Sequence, residues 1–214
     1  MKRNLPFIII GVVFGLAIVA GYWMFSSSKP QTQTQMPTPV ESMPSSGNPS
    51  SQLVTLSEFG DYQCPPCGAL HPELKKIKAE YGSKIRLDFY QFPLTRIHNH
   101  AMEASQAAMA AKLQGKFWEM HNLLYDSQDL WKDVGDFRPI LKNFALQLKL
   151  DVAQFERDFE STQVKAAVAE DMQRGEALGV SGTPTLFING RLVDAETLTA
   201  EVLRQEINKR LTGQ

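Results

Sequence analysis

The sequence predicts an α/β domain with a helical insertion, preceded by one N-terminal transmembrane helix. Three observations predict it. An uncharged apolar run opens the chain at residues 5–25. Short strand-like runs, bounded by glycine, proline and Asn-Gly, lie at residues 53–92 and again at 185–193. Between them, over about residues 98–178, apolar residues recur at three- and four-residue spacing.

The composition narrows the function classes. The chain has 214 residues, 43% apolar, 21% charged and 9% aromatic, with 22 Lys+Arg against 23 Asp+Glu. A net charge of −1 excludes a basic nucleic-acid footprint and an acidic solvating tail. The apolar content excludes wholesale disorder, and the charged content excludes a multi-span membrane protein. The length suits one good-sized core. Two cysteines exclude a disulfide-dense scaffold and an all-cysteine zinc site.

Residues 5–25 span roughly 30 Å as a helix, about one bilayer hydrocarbon core. Tyr22 and Trp23 close the run where amphipathic rings favour the interface. Lys2, Arg3 and the α-amino group precede it, against Lys29 soon after, which keeps the N-terminus cytoplasmic. The competing reading is a cleaved signal peptide, with Val19-Ala20-Gly21 as the small residues at the cleavage site. The run continues through Phe25, longer than a usual signal core, which favours the anchor. No cysteine lies in or just after the span, so a lipoprotein anchor is excluded. Gly11 and Gly15 make a G-x-x-x-G pair, common by chance in such spans. Residues 26–50 are rich in Ser, Gln, Thr and Pro and lack aromatics. Such a stretch cannot bury enough apolar surface to order, and reads as a disordered linker. The expectation is a single pass through the inner (cytoplasmic) membrane, with residues 51–214 in the periplasm or extracytoplasmic space. Without residues 1–50, 19 basic residues face 22 acidic ones, a net of −3.

Leu53 to Phe59 alternates and reads as a strand; Gly60 to Gln63 is a turn. Pro65 and Pro66 suit the first turn of a helix, which needs no N–H donors there. That helix runs to Glu80 and ends at Tyr81-Gly82-Ser83; Ile85 to Phe92 is a second strand. Helices follow from Asn99, with an alanine-rich face and a stop at Gly115. Further ones lie over Phe117–Tyr125, Phe137–Leu148, Asp151–Phe159 and Val164–Leu178. Thr185 to Ile188 is a strand, Asn189-Gly190 a tight hairpin turn, and Arg191 to Val193 its partner. Ala195 to Leu211 is a closing amphipathic helix.

Cys64-Pro65-Pro66-Cys67 carries the chemistry. One reading is a stabilising disulfide, but so short a closed loop gains the least chain entropy. A second is a pair of metal ligands. Zinc needs two more, and only His71 is near in sequence, with His98, His100 and His121 scattered. The third is a redox dithiol. The spacing puts both sulfurs in reach at a helix start, where the dipole favours a thiolate on Cys64. Thiolate is the attacking species in disulfide exchange, and Cys67, one turn in, would resolve the mixed disulfide. His98 and His100 read as capping or lining a helix start. His121 reads as a packing residue, and Trp118 and Trp131 as core or rim.

The chain resembles the DsbA-type thiol–disulfide oxidoreductases of the thioredoxin superfamily. The resemblance lies in Glu58-Phe59-Gly60-Asp61-Tyr62-Gln63 before the cysteines, in Gly182-Thr183-Pro184-Thr185, and in the helical block, notably His100-Ala101 through Gly115-Lys116-Phe117-Trp118-Glu119. It covers about residues 52–212. It implies a thioredoxin-like fold with an inserted helical domain, with Cys64 as nucleophile and Cys67 as resolving cysteine. Pro184 matches a cis-proline opposite them, and the Thr183 backbone would pair with an extended substrate segment. Glu58 matches a buried acid that moves the proton of Cys67; the bland alternative is an exposed strand-edge carboxylate.

One departure from the family is informative. The dipeptide between the cysteines holds no histidine, and neither proline has an N–H, so the first backbone donor for Cys64 is Cys67. A less stabilised thiolate makes a weaker oxidant, with a potential well below the ~−120 mV of the most oxidising members. No cofactor is implied. The partners implied are cysteine-containing proteins and, since no third cysteine exists, an external membrane redox partner, either a quinone-linked oxidase or a reductase. The favoured function is a disulfide-forming oxidase. The alternatives are a reductase or isomerase using the same cysteines, or a copper-binding assembly factor or redox-inactive holdase.

Overall fold

The computed structural model describes residues 53–194 and 198–213. The apolar run of residues 5–25 and the linker of 26–50 lie outside the described residues. Among the described residues, no helix is long and apolar enough to cross a membrane.

Four strands form one sheet in the order β2-β1-β3-β4. Strand β1 (Val54–Gly60) pairs in parallel with β2 (Ile85–Gln91), from Val54 opposite Ile85 to Gly60 opposite Gln91. On its other side β1 pairs antiparallel with β3 (Thr185–Ile188), which pairs antiparallel with β4 (Arg191–Leu192). A central strand is covered on both faces, and six of the seven β1 residues are buried, Ser57 and Glu58 included.

Parallel pairing of β1 and β2 requires a crossover, supplied by α1 (Pro65–Tyr81). Its first turn is Pro65-Pro66, as the sequence predicts, and the helix continues through Pro72. Gly82, at φ 55°, ends it in a conformation that suits a residue without Cβ.

The inserted block comprises α2 (Ala101–Leu113), α3 (Phe117–Asp126), α4 (Gln128–Trp131), α5 (Arg138–Gln147), α6 (Val152–Glu160) and α7 (Thr162–Ala177). Ala104, Ala107, Ala108 and Ala111 of α2 are fully buried, a small-residue face that lets neighbouring helices approach closely. Asp151 and Ser161 cap α6 and α7 by accepting from Gln154 N and Val164 N. The one-turn α4 has no counterpart in the sequence reading. Its buried Trp131 donates Nε1–H to the Leu124 carbonyl at 2.8 Å and stacks on Phe137.

Asn189 (φ 49°) and Gly190 (φ 75°) make the expected hairpin turn, both in the left-handed region. The closing helix α8 (Ala200–Thr212) starts later than the predicted Ala195. The reason is local: Thr199 caps it by accepting from Val202 N at 3.3 Å. Residues 195–197 lie outside the described residues.

Candidate active site

The site stands at the C-terminal end of β1, where the chain turns through residues 61–63 into α1. Cys64 is the N-cap of α1, at φ −71° and ψ 120°. Its N–H donates to the Asp61 carbonyl at 3.1 Å, and its carbonyl accepts from Gly68 N at 3.1 Å. Gln128 of α4 donates from Nε2 to the same Cys64 carbonyl at 3.0 Å and to the Tyr62 carbonyl at 2.7 Å. That amide occupies the space a Cβ on residue 68 would fill, so Gly68 is what lets α4 hold the loop.

Cys64, Cys67, Thr183 and Pro184 come together. Both cysteines are unbonded thiols, Cys64 5% exposed and Cys67 not at all. Cys64 Sγ lies 3.3 Å from the Thr183 carbonyl, to which it donates, and the Thr183–Pro184 bond is cis. Pro65 and Pro66 are exposed beside the sulfur.

The two thiols are driven apart electrostatically. A hydrogen bond from the Cys67 thiol, with help from the Thr183 side chain and the Cys67 backbone N–H, lowers the Cys64 pKa to about 6 against burial and the Asp61 charge. That N–H is the first donor the two prolines leave. Burial pushes the Cys67 thiol well above the usual range, and the Cys64 sulfur and Glu58 push the same way. The arrangement can therefore present one thiolate outward while holding the second sulfur protonated and sealed.

Glu58 is not a strand-edge carboxylate. It lies on the central strand, 2% exposed, and its Oε1 finds no hydrogen-bond partner among the described residues. Desolvation, and secondarily the Cys64 charge, raise its pKa to about 8. An aromatic and polar cluster surrounds this level: Tyr62, Phe89, His121, Tyr125 and His71. His121 is a packing residue as expected, buried and bonded through Nδ1 to Tyr62 Oη at 3.1 Å, and burial drives it to the neutral form. His71 stacks on Tyr125, with Nε2 3.3 Å from Asp126. Trp118 is on the rim and Trp131 in the core.

His100 is the N-cap residue of α2, as expected, and its carbonyl accepts from Ala104 N at 2.9 Å, but the cap makes no side-chain hydrogen bond. Gln63 and Asp61 claim this segment instead. Gln63 Oε1 accepts from His100 N at 2.7 Å, and its Nε2 donates to Asn99 Oδ1 and to the Lys132 carbonyl. Asp61 binds His98 Nδ1 at 2.7 Å. Asp61, Gln63 and Gln128 were not singled out from the sequence; a buried charged or amide side chain leaves no periodic signature there. Among the described residues, no group of three or more His, Cys, Asp or Glu is placed to hold a metal ion.

A sheet with a helix-start Cys-x-x-Cys facing a cis-proline defines a class, the thioredoxin-fold dithiol proteins. Comparison with known proteins narrows it. The thioredoxin family model matches residues 40–209. Probable disulfide bond formation protein D of Bacillus anthracis is 29% identical, with 99% of each chain covered. A Na(+)/H(+) antiporter NhaA 3 of Salinispora tropica is 36% identical over 168 residues, 76% of this chain but 25% of the antiporter. The chain thus spans about a quarter of that curated relative. The crystal structure of oxidised BdbD from Bacillus subtilis superposes with a TM-score of 0.65 at 20% identity, covering 78% of this chain and 91% of BdbD. The chain belongs to the thioredoxin family.

Proposed function

We propose that this protein forms disulfides in extracytoplasmic protein substrates through Cys64 and Cys67, held at the membrane by residues 5–25. The observation that carries the reading is the contrast between the two thiols: Cys64 lowered to about 6 at the helix start, Cys67 raised and buried behind it.

In the oxidised enzyme a substrate thiolate attacks Cys64 Sγ. The Cys64–Cys67 bond breaks, and Cys67 leaves with the electron pair. Glu58, protonated up to about pH 8, supplies the proton that this buried sulfur requires. A second substrate thiolate then attacks the substrate sulfur of the mixed disulfide. Cys64 departs as a thiolate, a good leaving group because its pKa is low. The substrate has lost two electrons, and the enzyme dithiol has gained them. An external membrane partner must remove those two electrons, a quinone-linked oxidase if the resting state is the disulfide. The backbone at Thr183–Pro184, just before β3, is where a substrate strand would add.

A Cys64 pKa of about 6 lies between the ~3.5 and ~7 of strongly oxidising and reducing relatives of this fold. The expected potential lies between ~−120 and ~−270 mV. Two experiments test the reading. Purified protein, oxidised, should restore activity to reduced ribonuclease, and Cys64→Ser should not. Alkylation trapping in intact cells should find the pair oxidised. A resting dithiol would instead make it a reductase or isomerase, and full activity of Cys64→Ser would end the redox reading.

A further inference from the structure

The dipeptide between the cysteines offers no imidazole, yet one is bonded to the same loop from another element. Asp61, three residues before Cys64, has a fully buried side chain. Its Oδ1 accepts from Gln63 N at 2.8 Å; its Oδ2 accepts from Leu94 N at 2.9 Å and meets His98 Nδ1 at 2.7 Å. Its carbonyl accepts the Cys64 N–H. An ionised carboxylate only accepts, so His98 Nδ1 carries its hydrogen. The other ring nitrogen has no hydrogen-bond partner among the described residues. The imidazole, 16% exposed, lines an open groove of about 420 Å³ together with Pro65, Asn99 and Lys132. That second nitrogen is therefore open to water while the first remains tied to Asp61.

A buried anion this close to the nucleophile opposes a thiolate, and an imidazolium on that same carboxylate cancels it. We infer that His98 is a positioning residue of the active site: held on Asp61 from the segment between β2 and α2, its imidazole sets the charge that Cys64 meets at the helix start. The inference rests on the reading of Cys64 as the attacking sulfur. The Asp61 charge does act against the Cys64 anion. The other charged or titratable groups around this loop are Glu58 on β1, Tyr62 in the loop itself, Cys67 on α1, His100 with its partner Glu103 at the start of α2, Tyr125 on α3, and Lys132 and Asp133 after α4. Lys132 is already paired with Asp129 at 2.5 Å.

The test titrates the Cys64 thiolate by its ultraviolet absorbance in the reduced full chain, for His98→Gln, Asp61→Asn and the double variant. Glutamine can still donate to Asp61 but carries no charge. His98→Gln should raise the thiolate midpoint by about one pH unit, tenfold in thiolate fraction below it. In the Asp61→Asn background the same substitution should do less than about a third of that, because its target charge is gone. Lys132→Gln should leave the midpoint in place. If Asp61→Asn fails to fold, the wild type decides: the thiolate titration must carry an inflection that coincides with the His98 imidazole titration followed by NMR. An unchanged midpoint in His98→Gln, an equal shift in both backgrounds, or no coincident inflection overturns the inference. These readouts need no substrate, so they fail separately from the exchange activity of Cys64.

Discussion

Two regions of this domain are packed from different materials. Between the sheet and helices α1 and α8 lies a cluster of Val54, Leu56, Leu70, Leu74, Ile77, Ile85, Leu186, Ile188, Leu203 and Ile207, all aliphatic. Around the cysteines the buried groups are Tyr62, Phe89, His121 and Tyr125, with Glu58 among them. In this second region Glu58 Oε1 and Tyr125 Oη are buried without a hydrogen-bond partner among the described residues. Each such atom opposes folding by an amount on the order of 1–3 kcal/mol. The aliphatic cluster supplies the stability that the reactive end gives up. A strand that carries Leu56 into the first region carries Glu58 into the second.

The largest effect is expected at the sulfur. Cys64→Ser should remove exchange activity altogether, while its thermal melt stays within about 0.5 kcal/mol of the dithiol wild type. The converse change is Leu56→Ala in the aliphatic cluster. It should destabilise the domain by about 2–5 kcal/mol in urea titrations and leave the Cys64 thiolate midpoint in place. A shifted midpoint would mean that the two regions are not separable.

Glu58→Gln sharpens the contrast through its pH dependence. Glu58 has a folded pKa of about 8 against an unfolded value of 4.5. Between those values the unfolded chain binds fewer protons than the folded one, so stability falls as pH rises from about 4.5 to about 8. The glutamine variant should lose that slope and be more stable at pH 8 by on the order of 4 kcal/mol. It should also form the mixed disulfide with a substrate thiol about 10–100-fold more slowly, because the leaving Cys67 sulfur loses its proton donor. Urea titrations across that range, with stopped-flow exchange, check both. The smallest effect is expected at Gln128→Ala, about 1–2 kcal/mol of stability, for two lost bonds to the Tyr62 and Cys64 carbonyls.

Much of the scaffold was legible in the sequence because it rests on local signals. Asn189-Gly190 names its turn, and Pro65-Pro66 marks a helix start. The i, i+3, i+4 spacing of Leu141, Phe144 and Ala145 marks a buried helix face. The short α4 carried no such signal, since one turn shows no period. The start of α8 was misplaced because Thr199, a threonine among several polar residues, makes the cap. At the site, the two cysteines and Pro184 were legible as motifs. Asp61, Gln63 and Gln128 were not, because their roles come from contacts across 33 to 69 positions of chain. His98 was assigned to the nearest helix start, and the structure instead bonds it to a carboxylate 37 residues earlier.

The central claim is that one sulfur is a poised thiolate and the other is held back. Reduced protein should be alkylated over a range of pH, with the modified residue identified by mass spectrometry. The account predicts that Cys64 alone reacts, with a half-maximal rate near pH 6, and that Cys67 stays unmodified until the chain is unfolded. Alkylation of Cys67 first, or a Cys64 profile centred near the ordinary thiol value of 9, would contradict it.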